Sequence, residues 1–323
     1  MKDLMALINN LKRSDNVYIQ THNFPDHDAV ASAFALQYLL RNYNIKTSII
    51  YEGEIQRDSL RLMIEGLHID IKHASAYELK ESDKIIIVDG CKGNKNVTDL
   101  IGEEVAVIDH HQVKVTEDVA YVDIRPEYGA CSTIIFSYYI LLKQDMPKDV
   151  ATALLIGLNM DTALLTRGVS EEDIGAYSYL YSYANSKMVN SILRNYIQQK
   201  DLRFYKEAID NLKIIDKVGF CYFPDGCNQN LLGIIGDFFL SLREVDFMVL
   251  AANNESNINL SVRSERDDWN AARVIQKVLS GIGFGGGHSD MAGGIIKNYE
   301  RFDFDTLIKR FLDALDVDAS PAY

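Results

Sequence analysis

Aspartate and histidine residues recur directly after short runs of β-branched residues. Such runs predict buried strands, and the carboxyl ends of parallel strands meet at one edge of an α/β sheet. We therefore expect these acidic and imidazole side chains to lie together. Carboxylates and imidazoles at one sheet edge are a ligand set for a pair of divalent cations. The segments are residues 21–28, Asp89 and residues 109–111.

The types of the candidate ligands indicate which metal would bind and which reaction it would catalyse. Imidazole suits manganese, zinc, iron or cobalt and carboxylate suits magnesium or manganese, so a set without thiolate favours manganese. Buried acids are costly unless cations neutralise them. Two metals about 3.5–4 Å apart hold a bridging hydroxide for in-line attack on phosphorus, which predicts phosphoester hydrolysis. Taken singly, Asp28 could merely cap a helix and Asp89 could merely occupy a turn, but their recurrence at successive strand ends favours metal.

Five ordered motifs carry a resemblance to the DHH phosphoesterase family and its associated C-terminal domain. They extend from residue 22 to about residue 294, nearly the whole chain. The nearest branch is the nano-RNase/pAp-phosphatase group, which resembles a shortened RecJ-type exonuclease. The motifs are His22-x-x-x-Asp26-x-Asp28, Asp89, Asp109-His110-His111, Asp161 and Gly285-Gly286-Gly287-His288.

The resemblance implies a role for each side chain of the first four motifs. Two divalent ions, with Mn²⁺ favoured, are the implied cofactors. Asp109 would orient and polarise the site, and His111 would face the scissile phosphate as a hydrogen-bond donor or proton carrier. One metal would be held by His22 and Asp26 and the other by Asp28, His110 and Asp161, with Asp89 bridging both.

The glycine-rich motif is expected to hold the substrate. Gly285–Gly287 reads as a loop whose backbone amides can cradle phosphate. By resemblance, Arg263 and His288 would contact the non-scissile phosphate or the base, since arginine pairs bidentately with phosphate oxygens. A surface salt bridge to Glu265 or Asp267 is the alternative for Arg263.

Three further residues near the metal motifs have two interpretations each. Arg125 could stabilise developing phosphoryl charge or be solvated. Ser132 could donate to a phosphate or cap the helix that follows. His27 stands where a small residue is common in the family; it could support the metal ligands from outside them, but exposure to solvent is the favoured interpretation.

The pattern of elements predicts an α/β fold with a mostly parallel N-terminal sheet flanked by helices, and a second, smaller α/β domain across a cleft. Strands are expected at Val17–Gln20, Ser48–Tyr51, Lys84–Val88 and Val105–Ile108. A long helix is expected from Asp28 to about Tyr43, and a short one over residues 3–13. The predicted boundaries are a catalytic domain at 1–187, a helical linker at 188–212, which lies within a mostly helical stretch from Cys131 to about Asp210, and a substrate-binding domain at 213–323.

Composition excludes some functional classes. Apolar residues make up 47% of the 323-residue chain, and no stretch is long enough for a membrane span. The N-terminus lacks a signal-peptide pattern, so a cytoplasmic protein is expected. A net charge of −13 disfavours gripping of long duplex DNA and favours a short phosphorylated substrate. The four scattered cysteines predict reduced, structural thiols, and a homodimer is compatible with the sequence.

These observations predict a manganese-dependent phosphoesterase that hydrolyses short oligonucleotides, linear dinucleotides or pAp by two-metal hydroxide attack. Such an enzyme combines nucleic-acid binding with exonuclease-type chemistry. Alternatives within the enzymes are a cyclic dinucleotide phosphodiesterase and an exopolyphosphatase or pyrophosphatase. The alternative outside the enzymes is a nucleotide-binding module without catalysis.

Overall fold

The computed structural model describes residues 4–113, 117–194, 197–254, 257–297 and 302–317. The chain divides into two compact units, residues 1–196 and 197–323. Residue 3 of the predicted first helix and residues 195–196 of the predicted helical region lie outside the described residues.

The first unit contains a six-stranded sheet in which every described strand pair is parallel. Its strand order is β3-β2-β1-β4-β5-β6, so the direction of chain progression reverses between β1 and β4. Ligands of open parallel sheets bind at this kind of reversal, beyond the carboxyl ends of the strands. The strands are β1 Val17–Gln20, β2 Thr47–Tyr51, β3 Ile71–His73, β4 Lys84–Val88, β5 Glu103–Asp109 and β6 Tyr121–Ile124.

Helices pack on this sheet and on one another. Pro25 disfavours helix before it, and Asp26 caps α2 by accepting hydrogen bonds from the backbone N–H groups of Asp28 and Ala29. The small alanines of α2 are completely buried, which lets α4 and α5 approach its backbone closely. The helices are α1 Leu4–Leu11, α2 His27–Arg41, α3 Asp58–Gly66, α4 Cys131–Leu142, α5 Lys148–Asp161, α6 Glu171–Tyr183 and α7 Ser186–Arg194.

The second unit contains a mixed six-stranded sheet of order β11-β12-β10-β9-β8-β7, in which only β8 and β9 pair in parallel. One face packs on α10 and α11 and the other on α9. The helices are α8 Leu202–Asn211, α9 Gln229–Leu240, α10 Ala271–Leu279 and α11 Phe304–Leu315. The strands are β7 Lys213–Ile215, β8 Val218–Phe223, β9 Phe247–Asn254, β10 Asn257–Ser264, β11 Gly283–Gly287 and β12 Met291–Lys297.

The predicted fold class is confirmed: both units are α/β, and the N-terminal sheet is parallel and flanked by helices. The predicted linker, 188–212, contains most of α7 and all of α8. Val189 and Ile192 of α7 pack in the core of the first unit, whereas Ala208 of α8 packs in the second.

One prediction about the second unit is wrong. The glycines at 285–287 do not form a loop but belong to β11, which pairs antiparallel with β12 at the edge of the sheet. Their amides therefore lie in a paired edge strand, with Gly285 opposite Gly294 and Gly286 opposite Gly293.

The remaining expectations concern thiols and membranes. All four cysteines are free and buried, in agreement with reduced structural thiols. Within the described ranges, no helix is both long and apolar enough to cross a bilayer.

Candidate metal centre

The ends of β1 and β4 bring the first group of predicted ligands together. His22 Nε2 lies 3.9 Å from Asp26 Oδ1 and 3.6 Å from Asp89 Oδ2. The three ligand atoms offered by these residues lie within 4.8 Å of one another. An ion placed among them would have one imidazole nitrogen and two carboxylate oxygens, a set that suits manganese.

A second group lies on the opposite side of Asp89. His110 Nε2 is 3.4 Å from Asp89 Oδ1 and 3.0 Å from Asp161 Oδ2. Asp28, His110 and Asp161 also offer ligand atoms within 4.8 Å of one another. Asp89 thus directs one carboxylate oxygen toward each group, the arrangement expected of a ligand shared by two ions.

Backbone carbonyls orient both imidazoles. His22 Nδ1 is 2.8 Å from the carbonyl oxygen of Asn23, and His110 Nδ1 is 3.1 Å from that of Tyr128. Because a carbonyl oxygen only accepts, each Nδ1 must donate its hydrogen. In the neutral ring this leaves Nε2 with a lone pair directed at the carboxylates, as metal-binding histidines require.

Asp109 and His111 form a separate pair at the end of β5. Asp109 is completely buried, and its Oδ1 accepts hydrogen bonds from the backbone N–H of His111 at 3.1 Å and from its Nδ1 at 2.8 Å. The His111 side chain is 34% exposed, whereas that of His110 is 10% exposed. His111 is therefore the imidazole of this motif that can reach a ligand from solvent.

Backbone N–H groups at the N-terminus of α4 bind the carboxylate of Asp28. Asp28 Oδ2 accepts from the backbone N–H of Cys131 at 2.6 Å, and Oδ1 from that of Ser132 at 2.9 Å. α4 has no capping side chain of its own, so Asp28 takes that role across the fold. Each carboxylate oxygen retains a second lone pair that can face a cation.

The predicted substrate contact of Ser132 does not agree with its place in the structure. Ser132 is completely buried, with its Oγ against Gly157 of α5. Its backbone N–H positions Asp28, so it supports the metal site instead of facing solvent.

A further buried carboxylate, Asp173 of α6, holds the segment that orients His110. Its Oδ2 accepts from the backbone N–H of Gly129 at 2.7 Å and from both the backbone N–H and the hydroxyl of Ser170. Its Oδ1 accepts from the hydroxyl of Thr133 at 2.5 Å. Gly129 follows Tyr128, the carbonyl partner of His110, so Asp173 sets the position of that carbonyl. Sequence reasoning missed Asp173; the Ser170-x-x-Asp173 helix start was its only signal.

The unsatisfied atoms of this cluster fit a cation pair. Asp89 Oδ1 and His110 Nε2 are buried and close, yet neither makes a hydrogen bond of acceptable geometry. Such atoms are costly unless a partner such as a metal ion occupies the space between them. The donor set and these orphaned atoms therefore both fit divalent cations.

The pKa shifts of Asp28 and His110 also indicate a cluster of carboxylates that needs positive charge. Burial raises the pKa of Asp28, and the charges of Asp89 and Asp161 raise it further. Burial lowers the pKa of His110, but its interactions with Asp161 and Asp89 outweigh burial and raise the pKa well above the usual range. Protonated imidazoles thus compensate the carboxylates where a cation would otherwise do so.

Arg125 is committed to structural contacts. Its guanidinium pairs bidentately with Asp123, at 2.8 and 2.7 Å, and donates to the hydroxyls of Tyr128 and Ser137. Its backbone N–H donates to the carbonyl of Asp109. The guanidinium contacts join Asp123 of β6 to Tyr128 and to Ser137 of α4, and the 19% exposed side chain is not directed at the cluster by them.

His27 is not exposed, and that expectation is wrong. The residue is completely buried at the start of α2. Burial, aided by the charge of Arg57, lowers its pKa to about 4. The imidazole is therefore neutral and packs inside the first unit.

Of the substrate residues predicted in the second unit, Arg263 lies on β10, Gly285–Gly287 lie in β11 and His288 follows β11. Arg263 donates from Nε to Asp237 Oδ1 at 2.7 Å and from Nη1 to Ser261 Oγ at 3.2 Å. Its ion pair is with Asp237 of α9, not with either acid considered from the sequence. The backbone N–H of His288 donates to the carbonyl of Met291, which ends the glycine strand in a tight turn.

Comparison with known proteins agrees with this arrangement. The profile of the DHH family N-terminal domain matches residues 16–158, and that of the DHHA1 domain matches residues 216–316. The chain belongs to the DHH family of phosphoesterases. All six predicted metal ligands except Asp161 lie inside the first matched region.

Several curated proteins are similar to this DHH family chain. Two uncharacterized proteins of Methanocaldococcus jannaschii are 28% and 27% identical over 86% and 92% of the chain. The chain spans 57% of the first of them and 91% of the second. A probable manganese-dependent inorganic pyrophosphatase of Streptococcus equi is 29% identical over 45% of the chain and 47% of its own length.

Solved structures share the fold of this DHH family member. An exopolyphosphatase-related protein of Bacteroides fragilis superposes with a TM-score of 0.79 at 20% identity, covering 98% of each chain. RecJ of Thermus thermophilus, solved with Mn²⁺, superposes with a TM-score of 0.60 at 15% identity, over 98% of this chain and 55% of RecJ. At these identities the likeness concerns the fold alone.

Proposed function

We propose that this protein is a manganese-dependent phosphoesterase that hydrolyses short oligonucleotides, linear dinucleotides or pAp. The observation that carries the proposal is the position of Asp89. Its Oδ2 faces His22 at 3.6 Å and its Oδ1 faces His110 at 3.4 Å, so one carboxylate lies between two separate ligand groups. Such a shared carboxylate is the requirement of a two-metal site.

The cations, when bound, supply Lewis acidity toward the phosphoryl group and an activated water nucleophile. The protein's own part is to hold six ligands in place, with His22, Asp26 and Asp89 around one position and Asp28, Asp89, His110 and Asp161 around the other. A manganese-binding RecJ and manganese-dependent pyrophosphatases among the similar proteins support Mn²⁺ as the metal.

His111 is proposed to act on the substrate directly. Asp109 accepts the hydrogen of its Nδ1 and orients the ring, and the 34% exposed side chain can approach a phosphate oxygen or a leaving group from solvent. Burial alone would lower the pKa of His111, but the hydrogen bond to Asp109 and the charge of Asp89 raise it. A protonated His111 can donate a proton to the departing oxygen.

Nucleotides are the proposed substrate class because the chain that carries the metal site also contains a second α/β unit with an arginine and a glycine-rich edge strand. Arg263 presents Nη2 beside Gly233, where a side chain of any size would displace it. A guanidinium that Asp237 and Ser261 hold in one orientation can offer Nη2 to a phosphate oxygen. The contacts of Gly285–Gly287 and His288 with substrate belong to the same proposal.

Inorganic pyrophosphatase activity is the second candidate. The similarity to the streptococcal enzymes favours it, but that similarity covers less than half of this chain. A pyrophosphatase would not use the DHHA1 unit to select a nucleotide, so the two candidates differ in substrate range.

One panel of substrates tests the proposal. Purified protein with Mn²⁺ is assayed on pAp, linear dinucleotides, cyclic dinucleotides, longer single strands, pyrophosphate and polyphosphate, with Asp89→Asn as the inactive control. We expect turnover of pAp or linear dinucleotides that the control lacks. Exclusive turnover of pyrophosphate or polyphosphate would contradict the proposal, and nucleotide binding without turnover would indicate a binding module.

A further inference from the structure

Phe24 combines two unusual properties beside the proposed metal ligands. Its backbone has a φ of +56°, in the left-handed region that bulky residues rarely adopt, and its side chain is 51% exposed. A left-handed conformation at such a residue costs on the order of 1–3 kcal/mol. An exposed aromatic ring in a strained position stabilises the fold little, so its presence calls for a functional reason.

The strained backbone is held by contacts on both sides. The backbone N–H of Phe24 donates to the carbonyl of Glu52 at 3.0 Å, and that of Asn23 to the carbonyl of Asn96 at 2.6 Å. A β-carbon on Gly53 would come within 2.9 Å of Phe24 Cδ1, so the ring edge rests on the bare backbone of Gly53. The segment is therefore hydrogen-bonded to the loops that follow β2 and β4, and the ring packs against the backbone of Gly53.

Phe24 belongs to the loop that carries two of the proposed metal ligands. Phe24 is two residues from His22 and two from Asp26, so its Cα lies within about 7 Å of each ligand's Cα. His22 and Asp26 belong to one ligand group. The exposed ring and two ligands of that group therefore belong to one loop, so a substrate bound to that group would have its base in the neighbourhood of Phe24.

We propose that Phe24 is a stacking surface for a nucleobase of the substrate. This inference rests on the proposed function and adds to it a selection element in the first unit. Every base has a π-face, and aromatic stacking tolerates any base sequence. The ring would favour nucleotides over pyrophosphate and polyphosphate, which offer nothing to stack.

The test compares substrates with and without bases on variants with and without the ring. The substrates are a linear dinucleotide and its fully abasic analogue, which has the same phosphates. The variants are Phe24→Asn, which tolerates positive φ, Phe24→Leu, which keeps apolar bulk and the same backbone demand, and Phe24→Tyr, which keeps a ring. Mn²⁺ binding by calorimetry and the melting temperature are recorded for each.

We expect the wild type and Phe24→Tyr to show a KM for the dinucleotide about tenfold lower than for the abasic analogue. In Phe24→Asn and Phe24→Leu the two KM values should converge, with Mn²⁺ affinity and kcat on the analogue unchanged. Phe24→Asn should melt at the wild-type temperature or above it, because asparagine relieves the backbone strain.

An unchanged KM ratio in Phe24→Asn and Phe24→Leu would overturn the inference while leaving the proposed function intact. Loss of Mn²⁺ binding in both variants would overturn it as well, because Phe24 would then only shape the ligand loop. Absence of turnover by the wild type on every nucleotide would instead remove the proposed function itself.

Discussion

Gly157 of α5 lies directly against Asp28 of α2: a β-carbon at position 157 would come within 2.8 Å of Asp28 Oδ1 and 2.4 Å of Ser132 Oγ. Three helices meet at this point, because Ser132 belongs to the first turn of α4. The absence of a side chain at one buried position therefore allows Asp28 to face the second ligand group and to cap α4 at once.

Gly157→Ala should weaken metal binding by displacing the ligand Asp28. The new methyl group must displace Asp28 or Ser132, since α5 is packed on both sides. Overpacking of this kind costs about 1–3 kcal/mol of stability. We expect the affinity for one of two Mn²⁺ ions to fall about 10–100-fold, as for other residues that support ligands. Calorimetric titration with Mn²⁺ measures it.

Gly175→Ala is the matched control for that substitution. Gly175 lies in α6 with no atom within 4 Å of the added carbon, so alanine should stabilise the helix by up to about 1 kcal/mol. Its two Mn²⁺ affinities should equal those of the wild type. Equal Mn²⁺ binding by the Gly157 variant would contradict the close packing of Asp28.

Asp89→Asn should abolish turnover and the binding of paired ions without harming the backbone. Asp89 has a φ of +54°, a conformation that asparagine accepts and alanine resists. Asparagine is therefore the cleaner substitution, since alanine would add strain to the loss of the carboxylate. The measurements are Mn²⁺ stoichiometry and the rate on the best nucleotide. A variant that retains two ions and full rate would remove Asp89 from the site.

Asp173→Asn should weaken the His110 ligand group although residue 173 is not a proposed ligand. Asparagine retains one acceptor oxygen, so it cannot accept hydrogen bonds from Gly129, Ser170 and Thr133 as the two carboxylate oxygens do, and the carbonyl of Tyr128 would be held less firmly. We expect about a 10–100-fold loss of affinity for one Mn²⁺ ion.

Ser170→Ala separates this positioning role from simple helix capping. It removes the cap of α6, at a cost of about 1 kcal/mol, but leaves the bonds from Gly129 and Thr133 to Asp173 in place. Thermal melting should show destabilisation of both variants, and calorimetry a loss of Mn²⁺ only in Asp173→Asn. A parallel loss in both variants would reduce Asp173 to a capping residue.

Gly233→Ala should move Arg263 without removing it. An added β-carbon would lie 2.5 Å from Arg263 Nη2, which can shift because it ends a flexible side chain. Helix α9 should not be destabilised, since alanine favours helix over glycine. We expect a higher KM for nucleotides with Mn²⁺ binding unchanged, measured by steady-state kinetics. An unaltered KM would argue against a substrate contact by the guanidinium.

Removal of metal should lower the melting temperature. Four of the ligands are carboxylates that repel one another without cations, and a cation that binds only the folded state stabilises it by about 2.7 kcal/mol at a hundredfold excess over its Kd. Chelation should therefore reduce the melting temperature and Mn²⁺ should restore it. Asp89→Asn, treated identically, should respond weakly; an equal response would place the stabilising ion elsewhere.

The sequence predicts the first unit well because its signals are local. Val17–Gln20 and Lys84–Val88 are short apolar runs that end at acidic or imidazole residues, and parallel pairing then brings those ends together. The position of Asp89 at the reversal of strand order follows from that pairing.

The features that the sequence does not predict depend on contacts between distant parts of the chain. Ser132 resembles a phosphate donor in sequence, but its burial is set by Gly157, 25 residues away on another helix. Gly285–Gly287 looks like a loop because glycine lacks strand propensity, yet pairing with β12 overrides that preference. The buried bonds of Asp173 to Gly129 and Thr133 cross 40 or more residues and leave no local pattern.

Anomalous diffraction at the manganese edge from crystals soaked in Mn²⁺ tests the central claim most directly. The account predicts two peaks about 3.5–4 Å apart, one beside His22 and Asp26 and one beside Asp28, His110 and Asp161, with Asp89 bound to both. Absence of any peak among these side chains, or a single ion that Asp89 does not contact, would contradict it.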